Sequence, residues 1–236
     1  MNSNAAARGR VLTRLGLERL VTPEPLDIAE AHRAHALTLA DPERFKVEGL
    51  EIEAPAGVYH PHPASSSLLF IRNIVEMAPP PPRKVWDLGC GTGAVALFLA
   101  KRYAADVLAT DISDRALEAT RANAARNGLT VRTRSADMFE DVAERDFDIV
   151  VFNVPLIDAL PESGWDKDTM CDPGGELLAR FAYGVPGVLS PYGFALTAIC
   201  SNGAYERLDG LPARTWIVGI EMAGNGFWRA ILGIRR

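Results

Sequence analysis

Hydrophobic spacing divides the chain into three zones. Leu12, Leu15, Leu17 and Leu20 recur among arginines between Val11 and Leu20. Ile28, Ala31, Ala34, His35 and Leu39 make an apolar stripe from Asp27 to Ala40. Both spacings are helical. Asp41-Pro42-Glu43 reads as an N-cap followed by proline at the first helical position, so residues 1–50 are expected to form a helical N-terminal extension. Residues 51–82 read as a connector. Its run Val58-Tyr59-His60-Pro61-His62-Pro63 is extended, because residues before proline avoid the helical region. Ser65 to Met77 returns to helical spacing, and Pro79 to Pro82 form a stiff spacer. From residue 83 to 236 the pattern alternates. Apolar runs at Lys84–Leu88, Val107–Thr110, Thr130–Thr133, Phe147–Phe152, Phe194–Cys200, Thr215–Glu221 and Trp228–Ile234 predict strands. Helical patterns cover Ala94–Tyr103, Asp114–Asn127 and Glu176–Val188, with a long loop from Asn153 to Pro173. Strands alternating with helices predict a doubly wound α/β sheet, and Gly224-Asn225-Gly226 a closing hairpin.

Composition narrows the class. The chain has 236 residues, of which 48% are hydrophobic and 23% charged, enough to bury a core without covalent staples. Three cysteines, Cys90, Cys171 and Cys200, are too scattered for a disulfide framework or a zinc site, which points to a reducing, cytoplasmic setting. Met1 to Arg10 lacks the apolar core of a signal peptide, and no apolar run approaches a membrane span. The net charge of −5 argues against nucleic acid as a partner, since such binders usually carry a basic surface.

Chemistry concentrates where strands end. Asp87-Leu88-Gly89-Cys90-Gly91-Thr92-Gly93 joins a predicted strand to a helix, and its glycines allow a ligand close to the backbone. Asp111 ends the next strand, where a carboxylate can accept ribose hydroxyls. Asp137 follows the third strand, positioned for an exocyclic adenine amine. Two kinds of nucleoside cofactor suit this layout. A dinucleotide site wants a third glycine after two more residues, whereas Gly93 is followed by Ala94, Val95 and Ala96.

The arrangement resembles the class I S-adenosylmethionine-dependent methyltransferases over roughly residues 57–236. The resemblance implies a seven-stranded Rossmann-like sheet and S-adenosyl-L-methionine as cofactor. It places Gly89, Cys90 and Gly91 along the methionine portion, Asp87 near its amino group and Asp111 on the ribose. Asp137 and the Met138 amide would hold adenine, with Gly93, Ile112, Ser65 and Tyr59 completing the cofactor wall.

Phe152-Asn153-Val154-Pro155-Leu156 ends the fourth strand. It is similar to the (Asn/Asp)-Pro-Pro-(Tyr/Phe) motif of methyltransferases acting on planar nitrogens, a set that includes the HemK/PrmC glutamine methyltransferases. A planar NH₂ is a weak nucleophile. A side-chain oxygen of Asn153 and a carbonyl near Pro155 can accept its protons and aim its lone pair. His60-Pro61-His62-Pro63-Ala64-Ser65 resembles that branch's Pro-Arg-Pro-Glu-Thr segment, and Asp172 to Leu177 its glycine-rich segment. Val154 and Leu156 depart from the motif, as do His62 and Ala64. Losing the aromatic removes a stacking face. The reading therefore leans to methylation of a planar or amine nitrogen of a small molecule. HemK-like glutamine or nucleic-acid amino-methylation is an alternative, as is cyclisation of the cofactor itself to azetidine-2-carboxylate.

His60, His62, Trp165 and Ser201 are further candidates for substrate contact. His32 and His35 share a predicted helix but find no third ligand, so no metal site is expected. Between Asn153 and Glu176 six acids face one base, Lys167, so this segment alone carries −5. Such a field repels phosphate and tolerates a neutral or cationic substrate.

Overall fold

A computed structural model describes residues 3–20, 27–223 and 226–236. The tip of the predicted final hairpin, Gly224-Asn225, lies outside the described residues. The chain opens with helices α1 (Ser3–Leu15) and α2 (Ile28–Leu39), followed by strands β1 (Glu43–Val47) and β2 (Leu50–Ala54). Helix α3 (Ser66–Met77) precedes β3 (Lys84–Leu88), α4 (Ala94–Tyr103), β4 (Asp106–Asp111), α5 (Asp114–Arg126) and β5 (Arg132–Ser135). Then come β6 (Phe147–Phe152), α6 (Gly164–Thr169), α7 (Glu176–Gly184), β7 (Leu189–Cys200), β8 (Arg214–Met222) and β9 (Trp228–Arg235).

Seven strands form one sheet in the order β5-β4-β3-β6-β7-β9-β8. The first five in that row run parallel, while β9 pairs antiparallel with both β7 and β8. The predicted doubly wound sheet and its terminal hairpin are both present. The chain turns one way from β3 to β4 and the other way to β6. This leaves a crevice at the carboxyl ends of β3 and β6, where ligands bind in such sheets.

The central strands β3, β4, β6 and β7 are buried on both faces, because they are apolar along most of their length rather than alternating. Trp86 on one face and Val85 on the other are both fully buried. The Trp86 face packs against Phe147, Phe181 and Val11, bringing α7 and α1 onto the sheet. The Val85 face packs against α3, α4 and α5. Arg8 straps α1 down by donating to the Ser201 carbonyl at 2.6 Å and the Gly203 carbonyl at 2.8 Å.

Two expectations for the first fifty residues need correction. Helix α1 runs earlier than Val11–Leu20 and stops at Leu15, because Gly16 takes a left-handed φ of 70°. Residues 43–54 are an antiparallel hairpin, not a helix. Phe45, Val47, Leu50 and Ile52 point inward by twos, with Glu48 and Gly49 at φ 49° and 71° as the turn. Positive φ at both central residues is what a tight hairpin requires. The hairpin crosses residue 50, where the helical extension was expected to end, and its Val47, Leu50 and Ile52 join the core of the sheet. Among the described residues no helix is long and apolar enough to cross a membrane.

Candidate active site

A cleft of about 560 Å³ opens at the carboxyl ends of β3, β4 and β6. Its floor is the loop after β3. Gly89 has φ 67°, and a Cβ there would stand 2.9 Å from the Phe152 ring, so only glycine fits. Gly91 differs: a Cβ there would meet nothing closer than Val58 at 4.0 Å, leaving its backbone open to a ligand. The loop is held by backbone bonds, Cys90 N–H to the Thr110 carbonyl at 2.9 Å and Gly93 N–H to the Cys90 carbonyl at 2.8 Å.

Three carboxylates stand over this floor. Asp87 is buried and accepts from the Ala96 amide at 2.9 Å, at the start of α4. Burial pushes its carboxyl up to about 7, with the neighbouring Asp111 adding to the shift and the Ala96 bond opposing it. Asp111 accepts from the Gly91 amide and the Ser113 amide, each at 2.9 Å. Burial also raises Asp111, against those two bonds. Each oxygen keeps a lone pair beyond the one in use. Asp137 pairs with Arg180 at 3.1 Å, and Met138 beside it has φ 56°.

Asn153 sits just past the end of β6 and donates from Nδ2 to Ser67 Oγ at 3.5 Å. Pro155 and Tyr59 line the same cleft, and the Tyr59 hydroxyl accepts from the Ser66 amide at 3.2 Å. Cys90, Gly89, Gly91, Asp87, Asp111 and Ile112 are there as expected, as are Asp137 and Met138.

Six expected residues do not reach the cleft. Gly93 is the N-cap of α4. Ser65 is fully buried and caps α3, accepting from the Leu68 amide. His60 and His62 face two smaller cavities beside α2. Trp165 packs on Gly57, where a Cβ would stand 2.6 Å from its ring nitrogen. Ser201 is buried and bonds Asn202 Oδ1 at 2.9 Å.

Other residues supply walls that no local motif announced. Ser66, Ser67 and Arg229 line one side, and His35, Lys167 and Arg180 the others. Arg229 donates to the Ala64 carbonyl at 2.9 Å and pairs with Glu221. Burial pushes the His35 imidazole below its ordinary value, partly offset by Asp166. The acids of residues 153–176 are not simply a solvated field either. Asp172 accepts from the Leu177 and Leu178 amides at the start of α7, and Asp166 is buried. Arg180 and Arg229 join Lys167 on the cleft wall, Arg180 paired with Asp137 and Arg229 with Glu221.

The sequence profile of the methyltransferase small domain matches residues 49–166. The chain belongs to the methyltransferase small domain family. The start of the match at Gly49 falls in the turn of the β1–β2 hairpin. A release factor glutamine methyltransferase of Bordetella pertussis is 37% identical over 167 residues, covering 61% of this chain and 60% of that protein. A ribosomal protein L11 methyltransferase of Symbiobacterium thermophilum is 34% identical over 174 residues, covering 72% of this chain and 49% of that one. The chain thus spans about half to three-fifths of the length of these two relatives. In shape it is similar to T. thermophilus 16S rRNA N2 G1207 methyltransferase in complex with AdoMet and guanosine. The TM-score is 0.64 at 20% identity, covering 83% of this chain and 50% of that one. The family match agrees with the class expected from the glycine loop and acids: the chain carries a methyltransferase-family domain with a Rossmann-like fold.

Proposed function

We propose that this family member is an S-adenosyl-L-methionine-dependent methyltransferase that modifies a planar nitrogen held at Asn153. The observation that carries the reading is the position of Asn153 at the end of β6, in the same cleft as Gly91 and Asp111. The residues present suit the cofactor. Gly91 leaves open backbone where a side chain would intrude, and the cleft floor carries Asp87 and Asp111 for a ligand with a cationic amino-acid end. Asp111 keeps lone pairs for ribose hydroxyls, and Asp137 stands at the next strand's end for a purine amine.

When bound, S-adenosyl-L-methionine supplies an electrophilic methyl group. The protein's contribution is orientation. With Nδ2 engaged by Ser67, Oδ1 of Asn153 is left to accept a hydrogen bond from one N–H of the acceptor NH₂. A backbone carbonyl beside Pro155 accepts a hydrogen bond from the other, and the proton displaced by the methyl group leaves to water. The acceptor lone pair is then fixed toward the donor. Positioning of this kind supplies rate without a strong base.

The acceptor class that best fits is the side-chain amide of glutamine in a polypeptide. The named activity of the Bordetella pertussis relative supports it, together with the Asn153-Val154-Pro155 segment. A second reading, a small-molecule nitrogen, is favoured by Leu156, which puts an aliphatic side chain where a stacking aromatic would serve a base or amide. Calorimetry with S-adenosyl-L-methionine tests the cofactor first. Binding that Asp111→Ala weakens by at least about tenfold supports the reading. Absence of binding to the wild type overturns it.

A further inference from the structure

His32 on α2 and Asp166 on α6 meet at 3.0 Å, with side chains only 3% and 4% exposed. The two residues come from segments 134 positions apart, and neither contributes an atom to the cleft wall. Asp166 organises the turn it sits in. Its amide donates to the Ser163 hydroxyl at 3.1 Å, and its carbonyl accepts from Met170 at 2.9 Å and Cys171 at 2.7 Å. The next three residues, Lys167, Asp168 and Thr169, all line the cleft. The Asp166 backbone therefore ties together the segment that leads into the cleft wall.

Burial makes that carboxylate depend on a partner. The Glu162 amide reaches Oδ2 at 3.3 Å, but Oδ1 has no hydrogen-bond partner, nor has either ring nitrogen of His32 an aligned one. What faces this carboxylate instead is the His32 ring, its Nδ1 3.0 Å from Oδ2, since a buried carboxyl without a partner is strongly unfavourable. A second tie runs parallel one turn along α2. His35 Nε2 lies 2.6 Å from Thr169 Oγ1, which donates to the Trp165 carbonyl at 2.6 Å.

We propose that His32 and Asp166 are a buried positioning pair through which helix α2 sets the acceptor-side wall of the cleft. The segment before the matched family domain is thus part of the site. The role of that wall in cofactor and acceptor binding rests on the methyltransferase reading above, whereas the pair's hold on residues 162–172 does not.

Hydrogen–deuterium exchange on the full chain, read by mass spectrometry, separates the two. In His32→Ala, amides of residues 162–172 are expected to exchange about tenfold faster, with residues 147–152 of β6 unchanged. S-adenosyl-L-methionine affinity is expected to fall several-fold in parallel. Asp166→Asn keeps the side-chain shape and removes the charge, and gives the same local loosening. If His32→Ala speeds exchange everywhere, it has unfolded the chain and Asp166→Asn decides. Wild-type protection of residues 162–172 in Asp166→Asn, or in a folded His32→Ala, overturns the proposal. A wild type that binds no cofactor overturns the functional reading and leaves the exchange result standing.

Discussion

The Asn153 amide nitrogen donates to the Ser67 hydroxyl across 3.5 Å, joining the end of β6 to the first turn of α3. The contact engages Nδ2, which can only donate, and leaves Oδ1 as an acceptor not spent on Ser67. At this length the bond is weak, and catalytic hydrogen bonds often tighten only when substrate binds.

Removing Ser67 should therefore cost turnover more than binding. A hydrogen bond of this kind contributes about 1 kcal/mol, so Ser67→Ala is expected to lower kcat by roughly fivefold to tenfold. S-adenosyl-L-methionine affinity should stay within about twofold, and Ser67→Thr should restore most of the rate. Steady-state kinetics with an acetylated glutamine peptide checks this. Equal loss in the Thr variant would remove the orienting role.

Asp87 predicts a proton linked to ligand binding. Burial raises its carboxyl from 3.8 to about 7, a preference for the neutral form of roughly 4 kcal/mol. The folded chain thus holds this proton more tightly than the unfolded chain does. Asp87 makes the ligand-free protein lose stability as pH rises from about 4 to about 7, and Asp87→Asn should flatten that decline in thermal melts. A bound cation favours the ionised form. Cofactor binding near pH 7, where this carboxyl is about half protonated, should then release up to about half a proton, visible as a buffer-dependent enthalpy in calorimetry. A heat independent of buffer would contradict this.

Gly91 and Gly89 should respond differently to substitution. Gly91→Val places methyl groups in open cleft, and a left-handed φ of 55° adds strain of about 1–2 kcal/mol. The fold should survive while S-adenosyl-L-methionine binding falls by more than about a hundredfold. Gly89→Val adds a clash with Phe152 and should lower the melting temperature further. Melts and calorimetry on both variants distinguish the effects.

The sheet core directly beneath the cleft offers a test of stability. The Trp86 indole donates to Thr110 Oγ at 2.9 Å and meets Phe147 at a centroid distance of 5.1 Å. Thr110→Val leaves that buried N–H unpaired, costing about 1–3 kcal/mol in denaturant unfolding. Trp86→Ala should cost about 3–5 kcal/mol. Loss of less than about 0.5 kcal/mol in Thr110→Val would mean water replaces the hydroxyl.

Much of the cleft floor was legible because its signals are local. A glycine loop between strand and helix, with acids ending consecutive strands, needs only the register of one sheet to converge. Asn153 was legible for the same reason. The hairpin at 43–54 was not, because proline after Asp41 suggested a helix start while the period-two pattern was only five residues long on each side. Ser65 and Gly93 carry motif positions yet serve as caps. Ser67, Arg229 and His35 could not be assigned in advance, since tertiary packing alone brings them to the cleft from α3, β9 and α2. The same holds for Asp166, whose charge looked like part of a solvated loop until α2 covered it.

The central claim is transfer of a methyl group to a planar nitrogen at Asn153. Mass spectrometry of the chain incubated with methyl-deuterated S-adenosyl-L-methionine, with and without a glutamine peptide, tests it most directly. The expected result is one labelled methyl on the amide nitrogen, with S-adenosylhomocysteine formed in equal amount. Asn153→Ala should slow it by about a hundredfold or more while still binding cofactor. Consumption of cofactor without any acceptor, yielding a cyclised amino acid, would contradict the account.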